Sequence, residues 1–454
     1  MRMKHACWIS GTLLASLFST YPSTAAVDTA TYSANIQAGA LPATDPTAVG
    51  FSPDRLALLN TTMHRAVDNG QIAGVLTLLA RHGKIVSFDA YGKNNIAAGT
   101  PLTRDAIFRL YSQTKPVTGV AMMMLFEQGK WSFDDPIAKF IPEFANLKVF
   151  GGLDKKGKPI LQKVKHAPTM RMLMTHTAGF GYGFGPFTDN YVDKQIQKAG
   201  VFTARNLHEM VQRLATVPLR YQPGTKWSYS AAMDIQGYLI EKLSGQRFGD
   251  YLAEHLFKPL GMNDTAFFVP ADRASRLSSF YATNPKTKSL IELIPVKNPA
   301  VQDYTKLPDM DFGGAGLVST IDDYARFCQM LLNGGTFNGA RILAPATVAL
   351  MHSDLLPATA AAEDGWQGAP IGGGDLGFGT NFAVMKNPTR MGSLDGAGTF
   401  YWGGAAGTWF WVDPKNDLFF LGMIQKFESY DEGSIDLNGV SQTMVYAALV
   451  APEK

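Results

Sequence analysis

The sequence predicts an α/β fold in which one sheet is assembled from both ends of the chain and a mainly helical lobe is inserted between them. Three observations carry this expectation. Strand-like segments gather near the start of the body (Gly74–Arg81 and Lys84–Tyr91) and return as aromatic-rich runs from about residue 376. Residues 130–310 read instead as helical pieces joined by loops marked with Gly and Pro. No linker, repeat or low-complexity tract divides residues 50–454, so about 51–450 is expected to be one domain, although the length alone would allow two or three.

Taken in order, residues 1–26 have the features of a signal peptide. Arg2 and Lys4 give a basic start, Ala6 to about Phe18 is apolar, and Ser23-Thr24-Ala25-Ala26 offers a small-residue cleavage site. Residues 27–50 are small and polar and read as a loosely held leader. No later apolar run approaches the roughly 18 residues of a membrane span, so a periplasmic or secreted protein is expected. Cys7 would leave with the signal. Cys328 alone would then remain, without an intramolecular disulfide or a cysteine zinc site, and its amphipathic helical setting suggests a buried inert thiol. Lys+Arg 41 against Asp+Glu 38 gives a net charge of +3, and loss of Arg2 and Lys4 leaves +1. That balance offers no case for nucleic acid or anionic lipid as partner. The apolar fraction of 46% suffices for a large core.

Within the body, Ser52-Pro53-Asp54 starts a helix that runs to about Asn69, and His82-Gly83 turns the first two strands. Ala106 to Tyr111 reads as a strand entering the core. A helix is predicted from Ser112, with Pro116 in its first turn, apolar Val117, Val120, Ala121, Met124 and Leu125, and a stop at Gly129. Further helices are expected over 204–215, 230–244, 248–257, 320–333 and 438–450. The α/β part would then cover about 51–115 and 313–450, and the helical lobe about 116–312, with a cleft between them.

Chemistry concentrates at three places. Ser112 and Lys115 lie three apart and share a helix face. An amine desolvated by apolar flanks has a lowered pKa and can accept the serine proton, which makes Ser112 a candidate nucleophile. Ser-x-x-Lys alone is weak, since a chain this long yields about one match by chance, and an N-cap serine beside a solvated lysine is the bland alternative. The second place is Trp227-Ser228-Tyr229-Ser230-Ala231, where the Tyr229 phenol could relay a proton beside Lys115 or merely cap backbone. The third is Tyr401-Trp402-Gly403-Gly404-Ala405-Ala406-Gly407 before the strand Thr408–Val412. Small residues at a strand edge admit a substrate backbone or carbonyl, or else form a bulge.

Other patterns carry less. No Gly-x-Ser-x-Gly elbow exists. Gly372 to Gly377 matches a dinucleotide motif in letters but opens no helix, and Phe378–Val384 after it reads as strand. Gly152–Lys158 lacks the Ser/Thr of a phosphate loop, and Asp154-Lys155-Lys156-Gly157 reads as a hairpin turn. His176, in Met-Thr-His-Thr-Ala-Gly, is expected to tie a helix end rather than to catalyse.

In order and spacing, Ser112-x-x-Lys115, the Tyr229 segment and Trp402-x-Gly404 on a strand resemble the Ser-x-x-Lys, Tyr-x-(Asn/Ser) and (Lys/His/Trp)-x-Gly layout of the serine β-lactamase and penicillin-binding protein superfamily. Met172–Gly179, Pro259–Met262 and Gly313–Thr320 are also similar to its phrases, so the resemblance covers about residues 50–450. It implies a three-layer fold with an antiparallel sheet flanked by helices, Ser112 as nucleophile, Lys115 as base and Tyr229 as proton shuttle. The N–H groups of Ser112 and Ala405 would form the oxyanion hole, with neither metal nor cofactor. Ala231 and Trp402 depart from the asparagine and lysine of the β-lactamases. Loss of the cation removes a charge-assisted partner worth about 1.5–3 kcal/mol to a carboxylate. Trp402-Gly403-Gly404 looks instead like the family VIII carboxylesterases and related acyltransferases, which implies a small neutral ester as substrate. A β-lactamase or D-peptide hydrolase, or an acyltransferase of the same fold, is the alternative. Phe180, Tyr182, Phe184, Phe187, Trp409 and Trp411 are candidates for an apolar pocket, or for core.

Overall fold

The computed structural model describes residues 41–451 apart from 184–189, 296–301, 358–359, 363–364, 367–368, 373 and 428–433. The expected signal peptide and residues 27–40 of the leader lie outside the described residues. The remainder of the leader is bound more firmly than expected. Thr44 N–H donates to the Ile85 carbonyl, Leu41 and Val49 are buried, and Arg81 reaches the Val49 carbonyl.

The strands used below are β1 (Gly74–Arg81), β2 (Lys84–Asn95), β3 (Thr100–Pro101), β4 (Phe108–Arg109), β5 (Lys148–Leu153), β6 (Pro159–Lys163), β7 (Val318–Ser319), β8 (Leu376–Phe378), β9 (Ala383–Met385), β10 (Phe400–Gly404), β11 (Thr408–Asp413) and β12 (Leu418–Met423). The helices are α1 (Pro53–Asp68), α2 (Lys115–Glu127), α3 (Met170–Met174), α4 (Ala232–Ser244), α5 (Ile321–Leu332) and α6 (Leu437–Ala448). Eight strands form an antiparallel sheet in the order β8-β9-β10-β11-β12-β1-β2-β3. Its first and last thirds meet where β12 pairs with β1, so the sheet is built from both chain ends as predicted.

Both faces of the sheet centre are covered. Every residue of β1, β11 and β12 is buried. Side chains alternate along a strand. On β11, Phe410 packs against Tyr324 of α5, whereas Trp409 donates to Ser441 and Trp411 faces Tyr446, both on α6. These contacts place α5 on one face and α6 on the other, with α1 packed on α6. The result is a three-layer arrangement. Trp409 and Trp411 belong to this core, and Phe180 packs inside on Phe144, so all three are core side chains.

Local predictions hold where periodicity is long. His82 and Gly83 both adopt positive φ (52° and 71°), the two-residue turn that matches strand twist. Asp154 Oδ1 accepts the N–H groups of Lys156 and Lys158 in the β5–β6 turn. Shorter apolar runs differ. Of Ala106–Tyr111 only β4 is strand, because Tyr111 turns the chain with φ 45°. Phe378–Val384 is a hairpin, not one strand, with Asn381 at φ 71°. Lys226–Trp227, just before the loop that carries Tyr229, pairs in parallel with Ala361–Ala362.

Candidate active site

Ser112 sits in a 3₁₀ turn, Tyr111–Thr114, that runs directly into α2. Two neighbours fix that turn. Leu110 N–H donates to the Leu317 carbonyl, and Leu317 N–H donates to Thr114 Oγ1, so the turn carrying Ser112 is strapped to the 313–319 segment. On the other side β10 runs along the turn. A methyl group at Gly404 would lie 2.0 Å from the Leu110 carbonyl oxygen, so only glycine lets the two chains touch. The carbonyl that approaches this small residue is therefore the chain's own. Strand β9 pairs only with Phe400 and Tyr401 of β10, which leaves Trp402, Gly403 and Gly404 without a β9 partner beside the nucleophile. Ala405 follows, exposed, in the turn before β11.

The structure brings Ser112, Lys115 and Tyr229 together. Lys115 Nζ lies 3.1 Å from Ser112 Oγ and donates to the Gly314 carbonyl at 2.7 Å. It also lies 4.5 Å from the centre of the Tyr229 ring and 5.4 Å from that of Tyr182. The Tyr229 phenol lies beside the side chains of Ser112 and Trp402, and the rings of Tyr229 and Trp402 are 5.8 Å apart. Trp402 is itself 1% exposed, packed on Phe378 as well, so it backs the tyrosine.

Burial sets the electrostatics. Lys115 is fully buried, which pushes its pKa down to about 7, while the nearby Asp234 carboxylate opposes the shift. Asp234 is likewise raised to about 6 by burial, against the pull of Lys115 and the Gly314 N–H at 3.0 Å. Burial also raises both Tyr229 and Tyr182. At neutral pH both phenols are protonated and the amine is poised between its two forms.

Sequence reasoning missed Asp234, and it offered Tyr182 only as a pocket or core residue, not as a neighbour of Lys115. The link between them is Gly314, whose N–H meets Asp234, whose carbonyl meets Lys115, and whose place for a Cβ is 3.0 Å from Asp234 Oδ2 and 3.3 Å from the Tyr182 hydroxyl. Nothing in a lone aspartate on the first turn of α4 marks it out from an ordinary helix-start acid. His176 behaves as expected. Its Nδ1 lies 2.8 Å from Ser230 Oγ and its carbonyl accepts Ser228 N–H, which tie the end of α3 to the loop carrying Tyr229. Burial holds its pKa well below the usual histidine value. Cys328 is buried on α5, with its thiol pushed up. Phe184 and Phe187 lie outside the described residues.

A second group of side chains flanks the nucleophile on the side of Ala405. Tyr111, Phe427 and Leu293 are half-buried and pack with buried Phe280 and Ala406. The Tyr111 ring is 5.7 Å from Phe280 and 6.4 Å from Phe427. An aromatic residue with positive φ is strained, and here the turn points Tyr111 into this apolar cluster.

Residues 59–440 match the family described as Beta-lactamase. The chain belongs to that family. It is 29% identical to the esterase EstB of Burkholderia gladioli over 380 residues, covering 81% of this chain and 90% of the relative. A lovastatin esterase of Penicillium rubens is 28% identical over 389 residues, 81% of this chain and 92% of the relative. Among solved structures, the simvastatin synthase LovD of Aspergillus terreus superposes with a TM-score of 0.72 at 23% identity, over 87% of this chain and 99% of that one. The protein is thus a serine hydrolase of the β-lactamase family with esterases among its relatives, consistent with a family VIII esterase-like protein, and its fold is the one the motifs imply.

Proposed function

We propose that the protein is an exported carboxylesterase that works through an acyl-enzyme on Ser112. The observation that carries the reading is Lys115 Nζ, buried, 3.1 Å from Ser112 Oγ, with its pKa lowered to about 7. Neutral Lys115, alone or through Tyr229, takes the Ser112 proton as Oγ attacks the ester carbonyl. The N–H groups of Ser112 and Ala405 hold the resulting oxyanion. Collapse breaks the bond to the alkoxy oxygen, which takes the proton back through Tyr229 and leaves as the alcohol. Water then repeats the sequence on the acyl-enzyme and releases the acid.

Two features support an ester over a β-lactam or a D-peptide. Trp402 stands where a cation would meet the substrate carboxylate and is packed away behind Tyr229. Tyr111, Phe427 and Leu293 offer the side of the cleft near Ala405 an apolar surface. The esterase relatives agree with this choice. Acyl transfer to an alcohol would use the same residues, with the alcohol in place of water.

The test compares p-nitrophenyl butyrate with a chromogenic cephalosporin on one preparation. The ester is expected to lead in kcat/KM by about a hundredfold, or roughly 2.7 kcal/mol. Parity between the two would overturn the esterase reading. Ser112→Ala should lose both turnover and labelling by a fluorophosphonate. Export is checked by the mass of the mature protein, which should lack about the first 26 residues.

A further inference from the structure

Net charge hides a local asymmetry. Residues 148–165, the β5–β6 hairpin and its exit, hold six lysines (148, 155, 156, 158, 163 and 165) and a single acid, Asp154. That local excess is larger than the net +3 of the whole chain. Asp154 is occupied in the turn, where it accepts the N–H groups of Lys156 and Lys158. Among the described residues, Lys139, Lys306 and Lys386 are ion-paired, and none of these six has a carboxylate at ion-pair distance.

The same hairpin exposes aliphatic side chains. Residues 153–163 are exposed without interruption, and Leu153, Ile160 and Leu161 are 53%, 44% and 52% accessible. These are three of the nine large hydrophobic side chains exposed among the described residues, gathered within nine positions of one hairpin. The base, by contrast, is fixed. Phe150 stacks face to face on Tyr191 at 4.5 Å and its N–H donates to the Leu219 carbonyl, while Gln222 bonds the backbone of both Lys163 and Lys165. A rigid stem thus holds out a tip of lysines and aliphatics.

We infer that this hairpin docks the enzyme on an anionic lipid surface. Lysines with apolar stems beside leucine and isoleucine suit the boundary between headgroups and acyl chains, where the ammonium groups meet phosphate and the aliphatics enter. A nucleic acid would favour arginine or aromatic side chains for phosphate forks and base stacking, and residues 151–165 contain neither. An acidic protein partner would use the charge but leave the exposed aliphatics on the outer strand without a role. The stem also has a functional address. Gln222, which grips it, lies seven residues before Tyr229, and Arg220 N–H donates to the Gly179 carbonyl three residues before Tyr182. Docking therefore anchors the part of the lobe that supplies two of the residues around Lys115. The inference stands independently of which ester is cleaved.

Co-sedimentation of the folded protein with phosphatidylcholine vesicles, and with the same vesicles containing phosphatidylglycerol, tests it. The anionic vesicles should bind about tenfold more tightly or better, and the difference should shrink as salt rises. The triple variant Lys155→Gln/Lys156→Gln/Lys158→Gln should lose that preference, and Ile160→Ser/Leu161→Ser should weaken binding while keeping its salt dependence. Hydrolysis of a soluble ester should be unchanged in both variants, which reports that they fold. Equal binding to both vesicle types would overturn the inference, as would anionic binding that survives the triple variant. Retention on DNA or on an acidic protein without vesicle binding would overturn the choice of lipid.

Discussion

On one side of Ser112, Lys115 and Asp234 are shut away from solvent and each bonds to Gly314. On the other side Tyr111 and Phe427 are half-buried and Ala405 is exposed. The buried side belongs to helices α2 and α4 and owes its chemistry to desolvation, which lowers the lysine and raises the aspartate. The open side is made from the ends of turns, and its half-buried side chains pack on a small cluster separate from the main core. The comparison separates two tasks. Rate is written into the interior, where few substitutions are tolerated, and choice of substrate is written at the rim.

The largest expected effect lies on the buried side. Lys115→Ala should lower kcat/KM for a p-nitrophenyl ester by about 10³–10⁴-fold, and Tyr229→Phe by about 10²–10³-fold. Circular dichroism should show both folded. If Lys115→Ala keeps a tenth of the activity, the buried wall does not supply the base.

A smaller effect belongs to the rim. Tyr111→Ala and Phe427→Ala should each cost about tenfold on a hexanoyl or octanoyl ester and little on an acetyl ester, as expected for an apolar contact that only a longer chain reaches. Steady-state kinetics across acyl lengths gives the answer. Uniform loss at every length would mean that Tyr111 shapes the nucleophile turn and not the pocket.

Protonation offers the finest test. Because the working lysine must be neutral and its pKa is near 7, kcat/KM should rise through about pH 7 and level off above it. The Asp234 charge raises the Lys115 pKa, so Asp234→Asn should move this acid limb to lower pH. A limb that stays in place in Asp234→Asn would assign it to another group.

What was legible in the sequence follows from the range of the forces involved. Helices α1, α5 and α6 announce themselves by period, and Ser112, Lys115 and Tyr229 by spacing within known phrases. Asp234 and Tyr182 do not, because only tertiary structure brings them to Gly314, and each looks ordinary in its own segment. Trp402 was visible as a departure from the family lysine, yet its burial behind Tyr229 depends on the packing of Phe378. Short strands failed for a local reason. In Ala106–Tyr111 and Phe378–Val384, one residue with positive φ redirects a run whose composition alone favours extension. The lysines of the β5–β6 turn were legible as a turn, but a whole-chain charge count averages them away.

The pairing of β1 with β12 also governs how the chain can be cut. Gly50 carbonyl oxygen accepts the N–H groups of Val450 and Ala451, and Ser52 N–H donates to Ala448, so the two ends of the described body are hydrogen-bonded neighbours. A chain halted before residue 418 would leave β1, apolar on both faces, with a bare edge and an invitation to aggregate. A chain whose ends were joined and reopened elsewhere would keep every strand. The exposed turn at Lys155–Lys156 is a natural place to reopen it. Its topology is thus closer to a ring with one nick than to a line.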